Sequence, residues 1–296
     1  MQGSTTERTT NGFVVTHPLD PEDAAITATM RAMVSSSKGA RPGVEARGQF
    51  DAFMESVLPP DDVTFDTDTL GGIPGLWVHP ANWRLGEAIV HLHGGWFNFG
   101  SSKAYRHLVG HIAARAGTRA FIPDYRLAPE HPFPAATDDA LACYLALAPR
   151  GVHRIALTGD SAGGNLALGL AARVIREAAS IHATLVGVAA FSPVTDLTLS
   201  GSTYETRAEA DPLFTRQQIA ELVNSYLGAP TRDIRWLLPF SADFPACLIL
   251  AFMSVTTKCC WMTRSGLLSV QLLQALMPEL MCGWVCHMGF PEASED

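Results

Sequence analysis

Residues 154–167, Arg-Ile-Ala-Leu-Thr-Gly-Asp-Ser-Ala-Gly-Gly-Asn-Leu-Ala, constrain the fold of this chain more than any other stretch. They place Ser161 between two glycines, where an apolar strand gives way to an Ala/Leu-rich helix. A turn that tight requires Gly159 and Gly163 to lack side chains so that the backbones can approach. It holds the serine oxygen out at the C-terminal edge of a sheet, with a helix N-terminus behind it to favour developing negative charge. An ordinary turn before a helix could carry the same Gly-x-Ser-x-Gly pattern. Here strand and helix both sit where a nucleophile elbow needs them, so Ser161 is the candidate nucleophile.

A second motif lies upstream. Ala88 to Leu92 reads as a buried strand and runs directly into His93-Gly94-Gly95-Trp96, a glycine turn whose backbone N–H groups can converge on one oxygen. Acyl transfer passes through a tetrahedral oxyanion, and each donor fixed around it lowers the barrier by roughly 3–4 kcal/mol. Gly94, Gly95 and Ala162 are the predicted donors, with the Trp96 amide as a further one. His91 and His93 share a strand face and could ligate a metal, but no third ligand is near in sequence, so no metal is expected.

Between these motifs runs Asp124-Tyr125-Arg126-Leu127-Ala128-Pro129-Glu130-His131-Pro132-Phe133-Pro134. With this block the chain resembles the hormone-sensitive-lipase-like family of α/β-hydrolases over roughly residues 20 to 243. That family shares the His-Gly-Gly turn, the Asp-Tyr-Arg-Leu-Ala-Pro-Glu block and the Gly-Asp-Ser-Ala-Gly-Gly-Asn elbow. It usually carries a third glycine where this chain has Trp96; a backbone donor survives that change, because every non-proline residue keeps its N–H. The block itself reads as scaffold, since its three prolines fix a loop after a strand, and neither Asp124 nor His131 is assigned a catalytic role.

The rest of the chain fits one α/β domain spanning 1–296, with a mostly parallel twisted sheet and helices on both faces. The sheet should begin near Val63, followed by a helix from Tyr105 to Ala116 and a strand from Ala120 to Pro123. A helix from Thr137 to Leu147, the elbow and a strand from Leu185 to Phe191 come next. The resemblance implies a helical cap, contributed by about residues 1–50 and 196–230. Ala24, Ala25, Ile26, Met30 and Met33 recur at helical spacing in the first part. Thr215 and Gln218 make a capping box for a helix reaching Leu227 in the second. At 47% hydrophobic, the chain can bury a large core. A net charge of −8 without a basic run argues against nucleic acid. The N-terminus has no apolar signal region, so the expected location is cytoplasmic; no membrane span is expected, and a homodimer is left open.

Beyond Phe244 the chain changes character. From Cys247 to Phe290 the charged residues are Lys258, Arg264 and Glu279, and five of the 6 cysteines fall there. Their spacing lacks the paired pattern of a metal site, and Pro245 to Val255 is too short to span a bilayer. One choice of synonymous codons offers an explanation. Met253 to Arg264, read one nucleotide earlier, becomes His-Val-Gly-Asp-Asp-Glu-Val-Leu-Leu-Asp-Asp-Ser, which is similar to the family's aspartate-bearing segment. The same shift turns Val285 to Met288 into Gly-Leu-Pro-His, similar to its histidine turn. Residues 244–290 are therefore read as an anomalous tail, out of frame. The family's acid would lie near Thr256, and neither Thr256 nor Thr257 can orient an imidazole as a carboxylate does. His287 is the candidate base. Asp196, Asp211 and Asp243 are the remaining acids, and none is assigned to the triad.

The resemblance implies a carboxylic-ester hydrolase acting on small short-acyl esters through a serine acyl-enzyme, without cofactor. Its sites are Ser161 and His287 for catalysis and Gly94, Gly95 and Ala162 for the oxyanion. A deacetylase or amide hydrolase on the same fold is an alternative. A second is an inactive small-molecule binding protein, favoured by the missing acid.

Overall fold

In a computed structural model, the structure describes residues 5–9, 12–16, 21–40, 43–177, 182–228 and 249–253. Thr5–Thr9 (β1) and Gly12–Thr16 (β2) form a small antiparallel sheet, with Thr5 opposite Thr16. The helical spacing of the N-terminal segment yields Pro21–Ser35 (α1), and Arg47–Glu55 (α2) follows.

Among the described residues, the main sheet has seven strands. Val63–Leu70 (β3) and Ile73–Pro80 (β4) make an antiparallel hairpin, and Glu87–Leu92 (β5), Ala120–Pro123 (β6), Arg154–Asp160 (β7) and Thr184–Phe191 (β8) follow in the chain. The spatial order is β3-β4-β6-β5-β7-β8, with Ile249–Met253 (β9) beside β8. Strands β5 to β9 run parallel and β4 joins β6 antiparallel. Parallel neighbours need crossovers, and helices supply them: Ser102–Ala116 (α3), Ala135–Leu145 (α4) and Ala162–Arg176 (α5). The short Thr203–Thr206 (α6) and Arg216–Leu227 (α7) lie in the insertion after β8.

Strand periodicity divides the core into two layers. Trp77, Val90, Phe121 and Leu157 point to the face covered by α4 and α5. Val78, Ile89, Ala120 and Ile122 point to the face covered by α3. Helix bounds follow their caps. α3 begins three residues earlier than its apolar pattern because Ser101 accepts the Ala104 N–H at 3.1 Å, and it ends at Gly117, with φ 56°. Thr215 and Gln218 form the predicted capping box in both directions.

Beyond Phe244, where the sequence changes character, β9 extends the sheet. Ile249 pairs with Gly187 and Met253 with Phe191, so the parallel pattern holds through Met253.

Candidate active site

The turn between β7 and α5 carries Ser161 at φ 54° and ψ −120°, a region that L-residues avoid. The neighbours impose this geometry. The Ser161 N–H donates to the Phe191 carbonyl at 2.9 Å, and the Ser161 carbonyl accepts from the Val194 N–H at 3.0 Å. The Asn165 amide locks the same loop by donating to the Val194 carbonyl at 2.7 Å. A Cβ on Gly163 would press into the Leu92 and His93 carbonyls, and one on Gly159 into the Gly163 carbonyl. Both glycines are thus required, as the sequence predicts. Ser161 is half-buried at the C-terminal edge of the sheet, and Ala162 behind it is fully buried.

The turn after β5 passes through three consecutive positive φ angles: 109° at Gly95, 53° at Trp96 and 62° at Phe97. Of the predicted donors, Gly94 has its N–H already engaged. It donates to Asp160 Oδ1 at 2.9 Å, and the same carboxylate fills the space that a Gly94 Cβ would need. Gly95 and Trp96 donate to no acceptor among the described residues. Ala162, as the first residue of α5, has no intrahelical acceptor for its N–H.

Asp160 is the residue that sequence reasoning missed. Its second oxygen accepts from Tyr105 Oη at 3.2 Å, and burial pushes the Tyr105 hydroxyl well above its ordinary range, so that it stays protonated and able to donate. The carboxylate thus ties the elbow to the glycine turn. Its only signal in the sequence is its place immediately before Ser161.

His91 and His93 are fully buried. His91 Nδ1 lies 2.9 Å from Thr158 Oγ1, and His93 Nδ1 lies 2.8 Å from the Gly94 carbonyl. The His93 ring stacks on Tyr125 at 4.2 Å, and burial holds its imidazole below the ordinary value, hence neutral. Among the described residues, no three His, Cys, Asp or Glu side chains converge as a metal site requires.

The Asp124 to Pro134 block is bound into the scaffold. Asp124 caps α3 through the Ser102 N–H at 2.6 Å, and Tyr125 Oη donates to the His93 carbonyl at 2.7 Å. Arg126 forks onto Asp139, and Glu130 pairs with Arg47 at 2.7 Å. Asp196 and Asp211 are also spent locally, Asp196 on the loop N–H groups of Thr198 and Ser200 and Asp211 on those of Leu213 and Phe214. His287, Asp243, Thr256 and Thr257 lie outside the described residues. A groove lined by Ala81, Trp83, Arg84 and Gly117 lies at the opposite end of the sheet, where β5 and β6 begin. No helix among the described residues is long and apolar enough to cross a membrane.

A profile of the family described as alpha/beta hydrolase fold matches residues 89–277, a region that continues past Phe244. An acetyl-hydrolase from Streptomyces hygroscopicus is 35% identical over 180 residues, covering 60% of this chain and 57% of that protein. Hormone-sensitive lipase from Mus musculus is 34% identical over 157 residues, covering 51% of this chain and 20% of the lipase. The chain therefore spans little more than half of the first relative and a small part of the second. A crystal structure of an esterase from the bacterial hormone-sensitive lipase (HSL) family superposes with a TM-score of 0.69 at 28% identity, covering 80% of this chain and 79% of that one.

Proposed function

This chain belongs to the α/β hydrolase fold family and is hormone-sensitive-lipase-like within it, and from that premise we propose that it hydrolyses carboxylic esters through a serine acyl-enzyme. Ser161 Oγ attacks the ester carbonyl and its proton passes to a histidine, for which His287 is the candidate by resemblance. The carbonyl oxygen becomes an oxyanion facing the N–H groups of Gly95, Trp96 and Ala162. Gly94 supports this set indirectly, through its bond to Asp160. Collapse expels the alcohol, and water then releases the acid and restores Ser161.

The observation that carries this reading is the positive φ of Ser161, enforced by two glycines with no room for a side chain. Preference for short acyl groups is supported by the acetyl-hydrolase relative. A p-nitrophenyl ester series of increasing chain length, run beside an acetanilide, tests both points. Turnover should be highest at acetate to butyrate and low on the anilide; a reversed preference would identify an amide hydrolase. Ser161→Ala should lower ester turnover by at least about a thousandfold, since binding and the oxyanion donors alone remain. Near-parental activity would mean that another residue attacks.

A second reading is favoured by the absence of an aspartate near Thr256: the chain binds a small ester without turning it over. A fluorophosphonate probe separates the two. Labelling at Ser161 that tracks turnover supports the enzyme, and saturable ester binding without labelling supports the binding protein.

A further inference from the structure

The turn that presents the Gly95 and Trp96 N–H groups is held from two sides by segments distant in sequence. From α2, the Arg47 guanidinium donates to the Asn98 carbonyl at 2.7 Å and to the Ala128 carbonyl at 2.8 Å, and it forks onto the Glu130 carboxylate. From α7, the Tyr226 ring stacks on Phe97 at 3.7 Å with 8° between the planes, and Ser225 Oγ donates to Asn98 Oδ1 at 2.8 Å. Phe214, before α7, sets its edge against Trp96 at 5.5 Å.

The turn needs such support. Two of its three positive-φ residues, Trp96 and Phe97, are bulky side chains in a conformation that persists only where the surroundings over-determine it. Its internal bonds are few: the Asn98 and Phe99 N–H groups reach the Gly95 carbonyl at 3.0 and 2.9 Å, and the Asn98 amide donates to the Trp96 carbonyl at 2.6 Å. The segments that lead into the two helices are joined as well, since Arg31 of α1 donates to the Ala210 carbonyl before α7, and Gln218 of α7 donates to the Ala40 carbonyl before α2.

We infer that α2 and α7 form a clamp whose docking sets the direction of the oxyanion donors, with Arg47 and Tyr226 as its positioning residues. This rests on the Ser161 reading for its catalytic consequence, but the clamp itself is a statement about the turn and is testable without turnover.

The experiment compares Tyr226→Leu, which removes the ring stack, Tyr226→Phe, which keeps it, and Arg47→Gln, in the full chain. Amide hydrogen exchange is read at Asn98 and Phe99 against amides of β7. Exchange at the two turn amides should rise by about tenfold or more in Tyr226→Leu and Arg47→Gln, with β7 unchanged and Tyr226→Phe parental. Unchanged exchange in both disruptive variants overturns the clamp, whatever Ser161 does. If Tyr226→Leu loosens β7 as well, Arg47→Gln decides by the same criterion. On p-nitrophenyl acetate, kcat should fall by about ten- to a hundredfold with KM moved less than about threefold, because misplaced donors are missed mainly in the transition state. A rise in KM with kcat intact would make these residues substrate contacts and overturn their positioning role. Failure of the probe to label parental Ser161 would sink the hydrolase reading, while exchange would still decide the clamp.

Discussion

Trp96 stands at φ 53°, a conformation that costs an L-residue about 1–2 kcal/mol relative to glycine. Its indole is also buried, 4% exposed, against Phe214, and truncating a buried tryptophan costs about 3–5 kcal/mol. The cavity outweighs the strain, so Trp96→Gly should lower the thermal midpoint by about 5–10 °C, while keeping the N–H that the oxyanion needs. A raised midpoint in a melting scan would show that strain dominates. Glu130 gives a pH prediction. Its hydrogen bonds with Arg47 draw the carboxyl from its ordinary 4.5 down to about 2, so this pair contributes fully above pH 4.5 and loses its contribution as pH falls towards 2. The difference in midpoint between parent and Glu130→Gln should shrink over that window, and salt should diminish it, since the carboxylate is exposed. A difference unchanged at pH 2 would remove the pair from the stability of the α2 attachment. Ser161 and its glycines were legible in the sequence because their constraint is local. Asp160, Arg47 and Tyr226 were not, because the groups they hold lie tens of residues away.

At the scale of elements, the elbow and the glycine turn are one unit, since the backbone of β5 fills the space beside Gly163. Gly163→Ala must displace backbone carbonyls rather than a flexible side chain. It should cost about 1–3 kcal/mol or more and abolish probe labelling of Ser161. Gly48, on the exposed side of α2 with nothing within reach of a Cβ, is the contrasting case. Gly48→Ala should stabilise by about 0.4–1 kcal/mol, through the unfolded chain and helix propensity. Denaturant midpoints of the two variants check both, and equal effects would refute the packing argument. The capping box at Thr215 could be read directly, because its partners lie three residues apart. The strand β9 could not, since its membership depends on the open edge that β8 presents.

At the scale of the whole molecule, the sheet is continuous through Met253. Replacing residues 244–290 by the shifted-frame reading should raise p-nitrophenyl acetate turnover by up to about ten-thousandfold, the cost of a missing acid in comparable triads. Soluble yield should rise with it. Equal turnover and yield in the two chains would mean that the sequence as it stands supplies its own acid. By itself, the sequence determined the strand-turn-helix at Ser161, the order of strands and helices, and the two glycine turns, because each is written in contiguous residues whose sterics and periodicity act over a few positions. Only the tertiary structure decided that the Gly94 N–H is bound to Asp160. It also decided that the turn after β5 is contacted by Arg47 and Tyr226, and that Ile249–Met253 pairs with β8. Those outcomes depend on which side chains meet across the fold, and spacing along the chain carries no record of that.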